Sequence, residues 1–268
     1  MENNTSANTH EGRKLRMSKN PFKEGNTASE KKKIKWVKSY SRMSIEEAEI
    51  RLGVSLRLVG KPITNMIHGK PVLLGRKSIL EVKEKVYDAL KDYLNVSGYP
   101  TEANSDYNEA NINDLVAFTI YPILATIKDE TTRALYLTRE KEIASIDSAT
   151  SGVEEFVVMD WISVGEKKYV TIVEAKKVFL GEAQKQCFLA LRNMRDRNGG
   201  GMVYGFVTMG DSWRMISFDG NFTISEKIEL LFDSMAKDKG RWMSDYSILI
   251  DCLNVALSNG AKHSIAPP

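Results

Sequence analysis

The chain has 268 residues, 42% of them hydrophobic, enough for one large domain or for a domain with a small companion. Its net charge of +3 does not by itself mark a nucleic-acid binder, so a phosphate-binding surface would have to come from local clustering of its 38 basic residues. Cys187 and Cys252 in apolar helical contexts and an opening without a secretory pattern fit a reducing compartment, the dispersed His10, His68 and His263 supply neither a zinc cluster nor a triad base, and no apolar run approaches membrane-spanning length.

Residues 1–40 are polar and basic, with few large apolar side chains before Trp36, and read as a disordered tail. Its clusters Arg13-Lys14-Leu15-Arg16 and Lys31-Lys32-Lys33-Ile34-Lys35 suit nuclear import or attraction of phosphates, and equally a solvated tail. Residues 41–99 read as a small helical subdomain. Ser44 with Glu47, and Ser78 with Glu81, have the spacing of capping boxes, and Ile79, Val82, Val86, Leu90, Tyr93 and Leu94 form a buried stripe on the second helix. After a polar linker, NINDLVAFTIYPILATIKD reads as a helix capped by Asn111 and interrupted at Pro122, with Glu109 just outside the cap. Arg133 to Ile146 reads as a first strand, on which Glu140 and Glu142 could approach the acidic site of the strands that follow or stand as exposed edge charges.

The stretch from Met159 to Gln184 carries the chemistry. An apolar run, Phe156 to Met159, ends in Asp160, and a second run, Tyr169 to Val173, delivers Glu174 and Lys176 two residues apart. A turn over Gly165 to Lys168 would fold the runs into a hairpin, with Glu174 and Lys176 on one face and Asp160 beside them. Two converging carboxylates suit Mg²⁺ or Mn²⁺, and a lysine beside the metal orients water or offsets charge on a phosphate. The alternative is a same-face salt bridge on an ordinary strand.

A helix then runs from about Gly181 to Arg197, burying Ala183, Cys187, Ala190, Leu191 and Met194. Gln184, near its start, could reach a metal-bound water or be a helix-surface glutamine. Lys185 and Arg192, joined by Arg195 and Arg197, share a side of this helix as a basic ridge for nucleic-acid phosphates, or as a solvated face. Gly199 to Gly201 stops the helix, MVYGFVTM and WRMISF read as strands, and Ser225 to Met235 and Arg241 to Ser258 as closing helices.

At Asp160, Glu174 and Lys176 the sequence resembles the PD-(D/E)xK nuclease superfamily, whose signature is an acid on one strand and acid-x-lysine on the next. Met159 stands where some members have proline. The resemblance covers about residues 109–235 and implies that Asp160 and Glu174 bind metal, that Lys176 activates water, and that Gln184 is the glutamine many members carry on the following helix. It also implies a substrate of DNA before RNA. GDSWRMISFDG is similar to strands of nuclease-fold domains in fungal crinkler-type effector proteins, whose N-terminal header motif is absent here. That likeness implies a nuclear or cytoplasmic site of action, or delivery to a host cell.

The expected fold is α/β: a central mixed sheet of four or five strands flanked by helices, a restriction-endonuclease-like core over residues 105–260, with the helical subdomain before it. Two functions follow, a Mg²⁺- or Mn²⁺-dependent nuclease without membrane association, or a non-catalytic nuclease-fold protein that binds nucleic acid or a protein partner.

Overall fold

A computed structural model describes residues 38–101, 104–177 and 180–259; the expected tail and its basic clusters, His10 and His263 lie outside them. In chain order the elements are β1 (Lys38–Ser39), α1 (Ile45–Leu52), α2 (Ile63–Ile67), α3 (Arg76–Ser97) and α4 (Glu109–Glu130), followed by β2 (Leu135–Ala144), β3 (Thr150–Ser163) and β4 (Glu166–Ala175). Then come α5 (Leu180–Arg197), β5 (Val203–Thr208), β6 (Ser212–Phe218), β7 (Phe222–Ile224), β8 (Ile228–Glu229), α6 (Lys239–Arg241) and α7 (Ile248–Ser258), the last two joined through a π-helical turn at Trp242–Tyr246.

The eight strands form one mixed sheet in the order β1-β3-β4-β5-β6-β7, with β2 also on β3 and β8 also on β6. This is the expected α/β architecture with a larger sheet than the sequence suggests, because strands of two or three residues leave no periodicity to read. β2, β3 and β4 pair antiparallel, and β4 pairs parallel with β5 through α5, the crossover that a parallel pair requires. One edge of β3 carries β2 along most of its length. The other carries β1 at Thr150–Ser151 and β4 from Phe156 onward, so the sheet is open between them, beside residues 152–155.

Helices cover both faces. On one, α5 lays Ala183, Cys187, Ala190, Leu191 and Met194 against Val157, Ile172, Val203 and Val207, all fully or almost fully buried. On the other, α4 and α7 pack over Phe156, Val158, Val173, Phe206 and Met215, and α3 packs on α4 and α7. Residues 41–99 therefore form no body of their own: α1 joins the α5 layer, whereas α2 and α3 join the α4 layer. The described residues all fall in one compact unit.

The local signals are met unevenly. Ser44 and Glu47 make the expected capping box, but α3 is capped at Gly75, which leaves Ser78 inside its first turn. The cap of α4 lies three residues before the expected one: Asn108 accepts from Ala110 N while Asn111 accepts from Asn108 N, which places Glu109 at the first helical position. Pro122 lies within a helix that continues to Glu130. α4 is also long and apolar enough to cross a membrane, contrary to the sequence expectation; here Ile112, Leu115, Val116, Ile120, Ile123 and Ile127 fill the core. Ser225 to Met235, expected as a helix, instead holds β8 and a 3-10 turn, because β6 offers an edge for Ile228 to pair.

Close approach fixes Gly152. Tyr40, fully buried, donates to the Ile143 carbonyl at 2.9 Å and accepts from Asn193 Nδ2, and its ring lies where a Cβ on Gly152 would fall. Gly152→Ala is therefore expected to cost about 1–3 kcal/mol of stability. Urea unfolding of variant and parent checks this, and equal midpoints would show that β3 does not press on Tyr40.

Candidate active site

The register of the β3–β4 hairpin decides which acids meet. Its turn is Val164–Gly165, with Gly165 at φ 86°, a conformation glycine takes without steric cost. From Ser163↔Glu166 the pairing runs to Phe156↔Val173, and the two irregularities on the way, one extra residue in each strand, cancel. Glu155 and Glu174 thus stand level, one step beyond the last pair. Asp160 pairs with Lys168, six residues from Glu174, a separation of roughly 20 Å along the strand.

Asp160 is therefore not beside Glu174, and the expected arrangement is corrected. Its carboxylate accepts from Arg133 Nε at 2.9 Å and Nη2 at 2.5 Å, both groups being almost buried, while Arg133 Nη1 donates to the Leu257 carbonyl at 2.6 Å. Asp160 thus ties β3 to the end of α7. A turn over Gly165 to Lys168 would put Glu174 level with Met159, next to Asp160; the true turn, centred two residues earlier, moves its partner by four, to Glu155.

Glu174 and Lys176 do share a site. Lys176 Nζ lies 3.0 Å from Glu174 Oε1, 3.2 Å from Glu109 Oε1 and 3.4 Å from Glu155 Oε1. Asn113, one turn after Glu109 on α4, donates from Nδ2 to Glu155 Oε2 at 3.1 Å. The acids form a gradient into the protein, the Glu109 side chain 46% exposed, Glu155 19% and Glu174 fully buried. The group sits at the carboxyl ends of the parallel strands β4 and β5, where Lys176 N donates to the Thr208 carbonyl, the place where open α/β sheets bind ligands. Glu155 and Glu109, the latter read as lying outside its helix, are the residues the sequence reading missed or discounted.

Behind Glu174 lies Glu154, fully buried, neither oxygen having a hydrogen-bond donor. Burial, then the charge of Glu174, pushes its carboxyl well above the usual carboxylate range. Glu174 is also raised by burial, against which the Lys176 ammonium pulls it down. The two carboxyls lie close enough for each to bear on the other's protonation. Burial alone would lower Lys176, but Glu174, Glu109 and Glu155 hold it above its ordinary value.

The remaining expected site residues lie elsewhere. Gln184 Nε2 donates to the Leu56 carbonyl at 2.7 Å, anchoring the segment after α1. Lys185, 1% exposed, donates to the Met43 carbonyl at 2.6 Å and pairs with Glu182 at 2.5 Å. Arg192 Nη1 donates to the Arg51 and Leu52 carbonyls at 2.7 and 3.1 Å, and the Arg195 guanidinium lies 5.6 Å from the centroid of the Phe218 ring. At Lys185 and Arg192 the basic ridge is thus no open surface: α1 and its flanks cover this side of α5, and both cations cap carbonyls of those segments, whereas Arg195 is half-buried and Arg197 exposed.

No family model, curated protein or solved structure matches this chain.

Two outcomes test the geometry. Asp160→Asn leaves Arg133 buried without its counter-charge and is expected to cost about 3–5 kcal/mol, read by urea unfolding; an unchanged midpoint would refute the structural role. For Glu154 the folded-state carboxyl is raised above the unfolded one, so its contribution is present below the ordinary carboxylate range and is lost as pH rises toward the folded value. Glu154→Gln should therefore gain stability relative to the parent between pH 5 and pH 8, the gap widening with pH. Parallel melting curves would show it, and a constant gap would mean that Glu154 is not held protonated.

Proposed function

We propose that the protein is a metal-dependent nuclease that hydrolyses phosphodiester bonds, with Glu109, Glu155, Glu174 and Lys176 as its working residues. The observation that carries this reading is the surplus of acid at one partly open point: three carboxylates converge on one ammonium, with a fourth buried behind them. A fold gains little from such a cluster, since buried carboxylates lose hydration and repel one another. Perturbed acids grouped in this way are characteristic of functional sites.

The donor set fits Mg²⁺ or Mn²⁺, being all carboxylate oxygen and in excess of its single positive partner. Glu174 from within, with Glu155 and Glu109 toward solvent, would hold the ion. When bound, the cation would polarise the phosphate and lower the pKa of a coordinated water. Lys176, freed from part of its acid shell, would hold its ammonium against that water or against charge developing on the phosphate. Glu154 keeps a neutral carboxyl against Glu174 and so limits the negative charge inside the sheet. DNA before RNA rests on the superfamily resemblance at Glu174 and Lys176, and Glu155 is proposed here for the role of the first acid.

One observation favours a second reading. Lys176 pairs with all three acids. That arrangement suits a protein that keeps the site as an internal salt-bridge cluster and binds nucleic acid or a protein without cutting.

Cleavage separates the two. Purified protein with plasmid DNA and labelled RNA should cut in Mg²⁺ or Mn²⁺ and not in chelator. Glu174→Gln, Glu155→Gln and Lys176→Ala should each lower the rate by a factor on the order of 10²–10⁴, whereas Asp160→Asn, where it folds, should retain it. Metal-independent products, or full activity in Lys176→Ala, would overturn the proposal.

A further inference from the structure

α4 buries three polar side chains, Asn113, Thr119 and Thr126. The two threonines are satisfied within the helix, Thr119 Oγ1 donating to the Leu115 carbonyl at 2.8 Å and Thr126 Oγ1 to the Pro122 carbonyl at 3.0 Å. Asn113 is different. Its Nδ2 reaches across to Glu155 on β3, and its Oδ1 is buried without any hydrogen-bond donor. Chemistry fixes this orientation, since the flipped amide would set its oxygen against the Glu155 carboxylate.

For stability alone this is a poor use of the position. Asn113 is 9% exposed, between the buried Ile112 and the buried Leu115–Val116 pair, and an unpaired buried acceptor costs about 1–3 kcal/mol. Leucine, similar in size, would bury more apolar surface. Nor does Glu155 need Asn113 for neutralisation, because its other oxygen faces Lys176. What Asn113 adds is direction. With Oε1 toward Lys176 at 3.4 Å and Oε2 toward Asn113 at 3.1 Å, the carboxylate is held at both oxygens. Glu109, four residues earlier on the same rigid helix, is held in the same frame.

We infer that Asn113 is a positioning residue of the acidic centre, orienting Glu155 for a divalent cation. The inference rests on the metal-binding reading proposed above. Groups that orient metal ligands from behind typically affect metal affinity by 10- to 100-fold.

The test is Mn²⁺ titration followed by the shift in melting temperature, with no substrate present. The parent should show a saturable upward shift. Asn113→Leu should melt in chelator at or above the parent temperature, and its Mn²⁺ midpoint should rise 10- to 100-fold. Should Asn113→Leu fail to fold, Asn113→Ala serves: it is expected to melt lower in chelator and to show the same displaced midpoint. A merely structural asparagine predicts the reverse, a lower melting temperature with an unmoved midpoint, and either variant showing the parent's midpoint overturns the inference. A parent with no Mn²⁺ response removes the metal-binding reading and this inference with it, an outcome distinct from an unmoved midpoint in a responsive protein.

Discussion

The two-residue turn at Val164–Gly165 sets the geometry on which the acidic centre depends. A hairpin turn determines register, and register determines which side chains stand level across two strands. Here it brings Glu155 level with Glu174 and sends Asp160 to the far end of the hairpin. It also leaves β3 unpaired on one side between Ser151 and Phe156. At that opening Glu154 and Glu155 sit with Lys176 and the first turn of α4 around them. A turn displaced by two residues would use nearly the same apolar runs and build a different centre.

This explains what the sequence could and could not convey. The apolar stripe of α5, the capping box at Ser44 and the glycine stop after Arg197 are local, each set by residues within one or two turns. They could be read directly. Glu174-x-Lys176 was legible for the same reason, since strand alternation puts residues two apart on one side. The first acid was not, because an acid at the end of an apolar run, Asp160, is a more conspicuous signal than two glutamates inside a strand. Counting outward from Val164–Gly165 would have reached Glu155. Similarly, Asn108 and Asn111 are both competent caps, and choosing the second moved Glu109 out of the helix that holds it.

Lys185 and Arg192 on α5 lie outside the expected open ridge for a different reason. Their spacing on the helix was right, but periodicity does not say what lies over a helix. α1 and the segment after it cover that side, so Lys185, Arg192 and Gln184 spend their donors on main-chain carbonyls of residues 43–56. Such residues have long apolar stems suited to this use. The same contacts show why residues 41–99 are no separate body, one of their helices being pinned to α5 while another packs on α4.

Taken together, the polar groups inside this protein are not left short at random. Asp160 has Arg133, Lys185 has Glu182 and Met43, and Asn254 holds the backbone of Leu73 and Leu74 from α7. Some hydroxyls are buried without partners, among them those of Tyr107, Thr150 and Thr171, but each is neutral and forgoes a modest bond. Glu154 is of another order, since a carboxyl buried without a donor must either give up its charge or be stabilised by something close by. It lies against Glu174, which bears on the same lysine as Glu109 and Glu155, and Glu155 in turn is held by the half-satisfied Asn113. Ordinary packing would remove such groups from a core by substitution, at a gain in stability. Their concentration at one end of two parallel strands, where the sheet is open and Lys176 is partly exposed, therefore argues that this end of the fold is not built for stability, and it is this excess that supports the proposal of a bound cation.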